Sequence, residues 1–236
     1  MRRAEELLAT EFAGARSALG SAATTPMPRI VPPLDPPEAS YFIRAFEAGL
    51  FGLNGTGDLW SELLFAAGTG QGFVGKVPLF LTDGVVRRVA RALISRFSVA
   101  ARLVYDRGWL SRQLLIEPYE PNVETGAGVD IALTTLGGEL LAAIALRRTA
   151  PEIAKLQRDF AQCCRRGEHS VDNCGFPQNH AVFEYCRRYR PRYQWAIGVD
   201  EQSCFELSYS SEGVVTFHQL PSLPARSVME MRVLKH

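Results

Sequence analysis

Residues 128–149, GVDIALTTLGGELLAAIALRRT, decide the fold of this 236-residue chain. The runs VDIAL and LLAAIAL flank Gly137-Gly138, which is typical of a β-hairpin because glycine adopts the positive φ of a tight turn. With the turn centred on those glycines, Asp130 lies opposite Ala145 on the returning strand. Arg147 is two residues beyond Ala145, so both side chains are expected on one face of that strand.

This hairpin resembles the site of the PD-(D/E)XK nuclease superfamily, in which an Asp on one strand faces Glu-x-Lys on the next and a helix follows. Asp130 matches the Asp, Ala145-Leu146-Arg147 stands at Glu-x-Lys, and residues 150–164, APEIAKLQRDFAQCC, match the helix. The resemblance covers about residues 85–200. It implies an α/β fold with a mixed β-sheet flanked by helices, a restriction endonuclease-like core (αβββαβ), preceded by helices.

Paired carboxylates in such a site hold Mg²⁺ and activate water, while the lysine stabilises charge. The resemblance makes Asp130 the metal ligand and Arg147 the charge-stabilising residue, with Ala145 at the position of the missing Glu. With the sequence as it stands at these positions, the Mg²⁺ site is therefore expected to be weak or absent. We expect a Mg²⁺-dependent phosphodiesterase only if a carboxylate replaces or is restored at Ala145.

Several explanations of Ala145 remain open at this point. The chain is a natural pseudo-enzyme that kept the fold for binding, an active variant with a migrated carboxylate, or a protein with an introduced Glu-to-Ala change. If the motif match is false instead, Asp130 is only a polar residue on an exposed strand face.

Residues 147–192 carry ten Lys and Arg against five Asp and Glu, a local net charge of +5. The run RRYRPRY interleaves arginine, which contacts phosphate, with tyrosine, which stacks on bases or sugars. We predict a DNA-binding surface here, although a solvated basic loop has the same composition. The candidate contacts are Arg148, Gln157, Arg187, Arg188, Arg190 and Arg192.

Cysteines and histidines follow the predicted helix. Cys164, His169, Cys174 and His180 have the spacing C-x4-H-x4-C-x5-H. Zinc accepts such ligands, but the close C-x2-C pair of common zinc modules is missing and Cys163 and Cys186 confuse the count. We therefore expect structural thiols and loop histidines here rather than zinc.

Four regions are predicted along the chain: an N-terminal helix and Pro-rich connector (1–37), a helical region packed on the core (38–112), the α/β nuclease-like core (113–220) and a C-terminal tail (221–236). Helices are expected at LWSELLFAA after Asp58 and over residues 84–108 after Asp83, and a strand is expected at AVFEYC. The N-terminal helix packs on the domain or on a partner, and the first is expected. A non-catalytic protein-interaction or assembly module, using this helix and the connector, is the alternative to DNA binding.

Composition limits the remaining classes. The net charge of +1 excludes a protein that is polybasic throughout, and no apolar run has the length of a membrane span. The charged N-terminus lacks the apolar centre of a signal peptide. We expect a soluble, cytoplasmic protein whose five cysteines are reduced thiols.

Overall fold

The computed structural model of the chain describes residues 1–18, 26–66, 75–82, 86–119, 128–198, 201–210 and 215–233. Its helices are α1 (Arg2–Ala18), α2 (Pro36–Glu47), α3 (Arg91–Arg107), α4 (Ala150–Arg166), α5 (Pro177–Tyr189) and α6 (Arg226–Val233). Its strands are β1 (Gly52–Leu53), β2 (Asp58–Ser61), β3 (Leu64–Ala66), β4 (Gly75–Pro78), β5 (Phe80–Thr82), β6 (Val86–Val89), β7 (Leu114–Tyr119), β8 (Ile131–Thr134), β9 (Leu140–Leu146), β10 (Tyr193–Ile197), β11 (Gln202–Tyr209) and β12 (Val215–Leu220).

The chain divides into two compact units, Met1–Phe65 with Gly72–Asp106 and Ala66–Gln71 with Arg107–His236. The first unit is held by aromatic residues: the ring of Phe51 lies 4.9 Å from that of Phe42 and 4.8 Å from that of Phe97. Helix α1 places Phe12 edge-on to Phe80 at 5.7 Å. The apolar face of α1 is thus covered within its own unit, as expected for a helix that packs on the domain.

Short strands replace one helix predicted for residues 38–112 and the first residues of another, whose remainder is α3. The stretch after Asp58 forms β2 and β3, and residues 86–89 form β6, which pairs with β5 before α3 begins at Arg91. The β-branched Val86 and Val89 favour a paired strand over a helix at this point. Asp83, the predicted cap of that helix, lies outside the described residues.

Six strands of the second unit form a mixed sheet in the order β12-β11-β10-β9-β8-β7. Neighbours are antiparallel except β9 and β10, which are parallel. The two parallel strands are joined through α4 and α5, as the crossover of a parallel pair requires. The predicted mixed α/β fold class is confirmed.

The predicted hairpin is formed by β8 and β9. Ile131 lies opposite Ile144, which is the predicted register, and the turn contains Gly138 at φ +88°. Ala143 and Ala145 on β9 are fully buried in a cluster with large apolar residues of α4 and α5. Their short side chains leave room for these helices to pack closely on the sheet.

Two predictions in the second unit are wrong. AVFEYC belongs to α5 rather than to a strand. The helix begins at Pro177 and buries Asn179, Val182, Phe183 and Cys186 at helical spacing, together with His180 and Tyr185. The predicted C-terminal tail instead contains α6, where Met229 is fully buried.

Candidate functional sites at the hairpin and in the Cys/His cluster

The hairpin brings Asp130 to the end of β9, as the sequence predicted. The Asp130 backbone N–H donates to the Ile144 carbonyl at 2.8 Å. One carboxylate oxygen, Oδ2, accepts a hydrogen bond from the Leu146 N–H at 2.7 Å. This carboxylate is therefore already engaged by the backbone of the Ala145-Leu146-Arg147 segment.

Ala145 has no exposed surface. It belongs to an apolar cluster that includes Ile153 and Leu156 of α4 and Ala196 of β10. The position of the missing Glu is thus filled by close apolar packing, and it offers no ligand atom.

Arg147 is tied in place by hydrogen bonds. Its Nη1 donates to the Leu146 carbonyl at 2.7 Å, and its Nη2 donates to Oδ1 of Asn179 at 3.0 Å. Burial lowers the pKa of the guanidinium, and the charges of Asp130 and Glu152 oppose that shift. Arginine nevertheless remains cationic in proteins, so the chemistry of Arg147 is unsuited to that of a base.

A series of side-chain hydrogen bonds connects Arg147 to α5 and α4. Asn179 at the start of α5 is buried, and its Nδ2 donates to Oδ2 of Asp159 on α4 at 2.7 Å. Lys155 donates to the same oxygen at 2.6 Å. Sequence reasoning missed Asp159 and Asn179. The i,i+4 spacing of Lys155 and Asp159 was the one sequence feature that could have indicated an ion pair there. No sequence feature pointed to Asn179.

These residues do not fit a magnesium ion. Magnesium requires several hard oxygen ligands, whereas this site has one backbone-engaged carboxylate, an alanine and a cation. Within the described ranges, no group of three potential ligand side chains forms around Asp130. The described residues around Asp130 thus lack the set of oxygen ligands that Mg²⁺ requires.

The predicted nucleic-acid contacts fall into different environments. Gln157 is buried and donates to Gln194, so its amide does not face solvent. Arg187 pairs with Glu184 at 3.1 Å and with Glu168 at 3.2 Å, and Arg192 pairs with Glu206 at 3.0 Å. The exposed members of the set are Arg148, Arg188 and Arg190.

These exposed arginines lie near opposite ends of the parallel pair β9–β10. In the parallel pair, Tyr193 is opposite Ala142 and Ile197 is opposite Leu146. Arg148 therefore follows the carboxyl end of β9, whereas Arg188 and Arg190 precede the amino end of β10. The two ends are separated by ~13 Å along the strands.

A second site forms where α4, α5 and the loop between them meet. One potential ligand atom from each of Cys163, His169, Cys174 and His180 lies within 4.8 Å of the others, so the group could hold a metal ion. The sequence assigned Cys164 to this group instead. Neighbouring helical residues point about 100° apart, so only one of the two cysteines faces the loop.

The thiols of this group are buried. Burial raises the pKa of Cys163 to about 12, with Cys174 contributing in the same direction. The Cys163 sulfur is thus expected to be protonated unless a cation compensates the thiolate charge.

No family model, curated protein or solved structure matches the chain. None of the helices in the described residues has the length and apolarity to cross a bilayer.

Proposed function

We propose that this chain is a non-hydrolytic, DNA-binding protein with a nuclease-like fold. The observation that carries the proposal is the register that sets Asp130 beside Ala145-Leu146-Arg147 at the end of β9, with α4 following directly. The chain order α3, β7, β8, β9, α4, β10, with α5 inserted before β10, agrees with the αβββαβ order that the resemblance implies.

The absence of hydrolysis follows from the chemistry of the hairpin. Cleavage of a phosphodiester in such a site requires a metal held by at least two carboxylates. Asp130 supplies one, and the buried Ala145 supplies none. What remains is a fold with a cation and a carboxylate at its former reaction centre.

The DNA contact is assigned to the end of α5. Arg188 and Arg190 are exposed there, and Tyr189 is 37 % exposed. The Arg188 guanidinium lies over the Tyr189 ring at 5.4 Å, and the Tyr185 ring lies 4.7 Å from that of Tyr189. Arginines beside an accessible aromatic ring match the chemistry of phosphate contact combined with base stacking.

The test is a salt titration of binding to duplex and single-stranded DNA. The variant Arg188→Gln/Arg190→Asn removes two exposed cations, and asparagine tolerates the positive φ of 53° at position 190. The matched control Arg29→Gln/Arg112→Gln removes two exposed arginines outside the basic segment. We expect the first variant to weaken binding at least tenfold and to reduce the salt slope by about 2, with little change in the control.

A separate assay addresses cleavage. The wild-type protein incubated with plasmid DNA and Mg²⁺ or Mn²⁺ is expected to leave the DNA intact, with chelator as the control. Cleavage by the wild type would contradict the proposal. Metal-dependent cleavage by Ala145→Glu alone would support the kinship of the hairpin with the nuclease site. Binding to neither form of DNA would favour the protein-interaction alternative.

A further inference from the structure

The Cys/His cluster has the donor spacing of a tetrahedral metal centre. The Cys163 and Cys174 sulfurs lie 3.6 Å apart. Two thiolates at about 2.3 Å from a tetrahedral zinc ion are separated by about 3.8 Å. The sulfurs are thus close to the separation that zinc imposes, and one ring nitrogen of each histidine lies within 4.8 Å of both sulfurs.

Each histidine has a buried ring nitrogen without a hydrogen-bond partner. The Nδ1 of His169 lies 2.7 Å from the Gly167 carbonyl, which accepts its hydrogen bond, and the buried Nε2 has no hydrogen-bond partner. In His180, Nε2 lies 3.7 Å from the Glu184 carboxylate, and the buried Nδ1 has no partner. Metal-ligating histidines characteristically donate their other N–H to a carbonyl or carboxylate. The His169 contact with the Gly167 carbonyl has this geometry, whereas the His180–Glu184 distance is longer than a hydrogen bond.

One sulfur of the cluster also accepts a hydrogen bond from the backbone. The Phe176 backbone N–H donates to the Cys174 sulfur at 3.3 Å. A donor aimed at a sulfur stabilises its anionic, metal-binding form. Buried polar atoms are normally paired, so two bare imidazole nitrogens beside two thiols need an explanation, and a cation supplies it.

We propose that Cys163, His169, Cys174 and His180 bind one zinc ion in a closed structural site. The S₂N₂ donor set is suited to zinc and unsuited to magnesium or calcium. Four protein ligands complete the tetrahedron and leave no position for water or substrate, which distinguishes a structural from a catalytic centre. This proposal does not rest on DNA binding.

The ion connects three segments of the chain. Cys163 lies in the last turns of α4, His169 and Cys174 lie in the loop of residues 167–176, and His180 lies in the first turn of α5. Asn179, which links Asp159 to Arg147, directly precedes the ligand His180. Zinc therefore holds α4 and α5 together next to this series of hydrogen bonds.

The experiment compares metal content and coordination in neighbouring cysteine variants. The protein is purified under reducing conditions, and zinc is measured by mass spectrometry of the acid-digested sample. Cobalt(II) then replaces zinc, and the visible spectrum reports geometry and thiolate ligation. We expect one zinc per chain and the intense bands of tetrahedral cobalt with thiolate charge transfer.

Cys163→Ser and Cys164→Ser form a matched pair, since both thiols are buried in α4. We expect Cys163→Ser to lose at least tenfold in zinc affinity and Cys164→Ser to retain one zinc. His169→Gln, at a half-buried loop position, is the second variant, in case Cys163→Ser does not fold. It is expected to keep the helical circular dichroism and lose the tetrahedral cobalt spectrum.

Several results would overturn the site. One is that the folded, reduced wild-type protein takes up neither zinc nor cobalt. Another is that Cys163→Ser binds zinc while Cys164→Ser does not. A third is an octahedral cobalt spectrum. A Cys163–Cys174 disulfide in peptides from freshly reduced, zinc-treated protein would also refute it.

Discussion

At the scale of single residues, the hairpin end is organised by hydrogen bonds to charged groups. The side-chain oxygen of Asn179 accepts a hydrogen bond from Arg147, and its amide nitrogen donates one to Asp159. Hydrogen bonds to charged groups contribute more than neutral ones, and a buried charge that loses its partner is penalised. Asn179 is therefore the residue on which the arrangement of Arg147 depends.

Replacing Asn179 by leucine removes both bonds while roughly keeping the volume. We expect Asn179→Leu to lower the free energy of unfolding by about 2–3 kcal/mol, because Arg147 and Asp159 lose a partner. Gln178→Leu, at an exposed position of the same helix turn, is the control and should change stability by less than about 0.5 kcal/mol. Urea denaturation measures both, and equal losses in the two variants would argue against the role of Asn179.

The burial of Ala145 predicts a second residue-level result. Ala145→Glu places a carboxylate among Ile153 and Leu156, so we expect a loss of about 3 kcal/mol in the absence of metal. Ala154→Glu adds the same side chain at an exposed position of α4 and should be nearly neutral. Thermal unfolding compares the two, and equal melting temperatures would show that position 145 accommodates a charge.

At the scale of elements, one carboxylate of α6 connects this helix by a hydrogen bond to Gln113, just before β7. Glu230 Oε1 accepts hydrogen bonds from Gln113 at 2.8 Å and from Arg226 at 3.0 Å. Burial acts to raise the pKa of Glu230, but the bonds from Gln113 and Arg226 outweigh it and hold the pKa below its ordinary value. The charged form of Glu230 is therefore favoured in the folded protein.

This shift fixes the sign of a pH effect. Because the folded pKa is depressed, the stabilisation is present above the unfolded pKa, about 4.3, and is lost as pH falls through the folded value. We expect Glu230→Gln to be less stable than the wild type at pH 7 and to lose less stability on acidification below pH ~4. Urea unfolding at a series of pH values tests this, and parallel curves for the two proteins would contradict it.

How far the sequence predicted these elements depends on where their signals lie. The hairpin register was predictable because glycines and alternating side chains specify it locally. Helix α4 was predictable too: Thr149 and Glu152 form a capping box, and Pro151 lies in the first turn. Helix α5 was missed because AVFEYC, taken without the residues before it, has no clear period.

The choice between Cys163 and Cys164 shows the limit of spacing arguments. Both fit a loose Cys/His pattern, and the rotation of α4 decides which thiol faces the loop. That rotation is set by packing of Ile153, Leu156 and Phe160 on the sheet, which is a tertiary effect. The partner of Arg147 was hidden for the same reason, since Asn179 is distant from it in sequence.

At the scale of the whole molecule, the two units have separate means of stabilisation. The first has its aromatic core and a partly buried ion pair of Arg91 and Glu38. The second has the six-stranded sheet and, by our proposal, zinc. Metal removal is therefore expected to act on one unit selectively.

Hydrogen exchange in the presence and absence of chelator tests this selectivity. We expect at least tenfold faster exchange in peptides from the end of α4 through the start of α5 after zinc removal, because the loop loses its cross-link. Peptides from α1 and α2 serve as the internal control and should not change. Uniform acceleration over the chain, or none, would contradict the expectation.

The close packing around Ala145 has a consequence for the evolutionary history of the hairpin. If the ancestor carried a carboxylate there, its loss allowed Ile153, Leu156 and Ala196 to close over the position. A single Ala145→Glu reversion would now place a carboxylate in an apolar core that has no room for it. The change would then be epistatically entrenched: regaining a catalytic ancestor would require several coordinated substitutions, each disfavoured when it occurs alone.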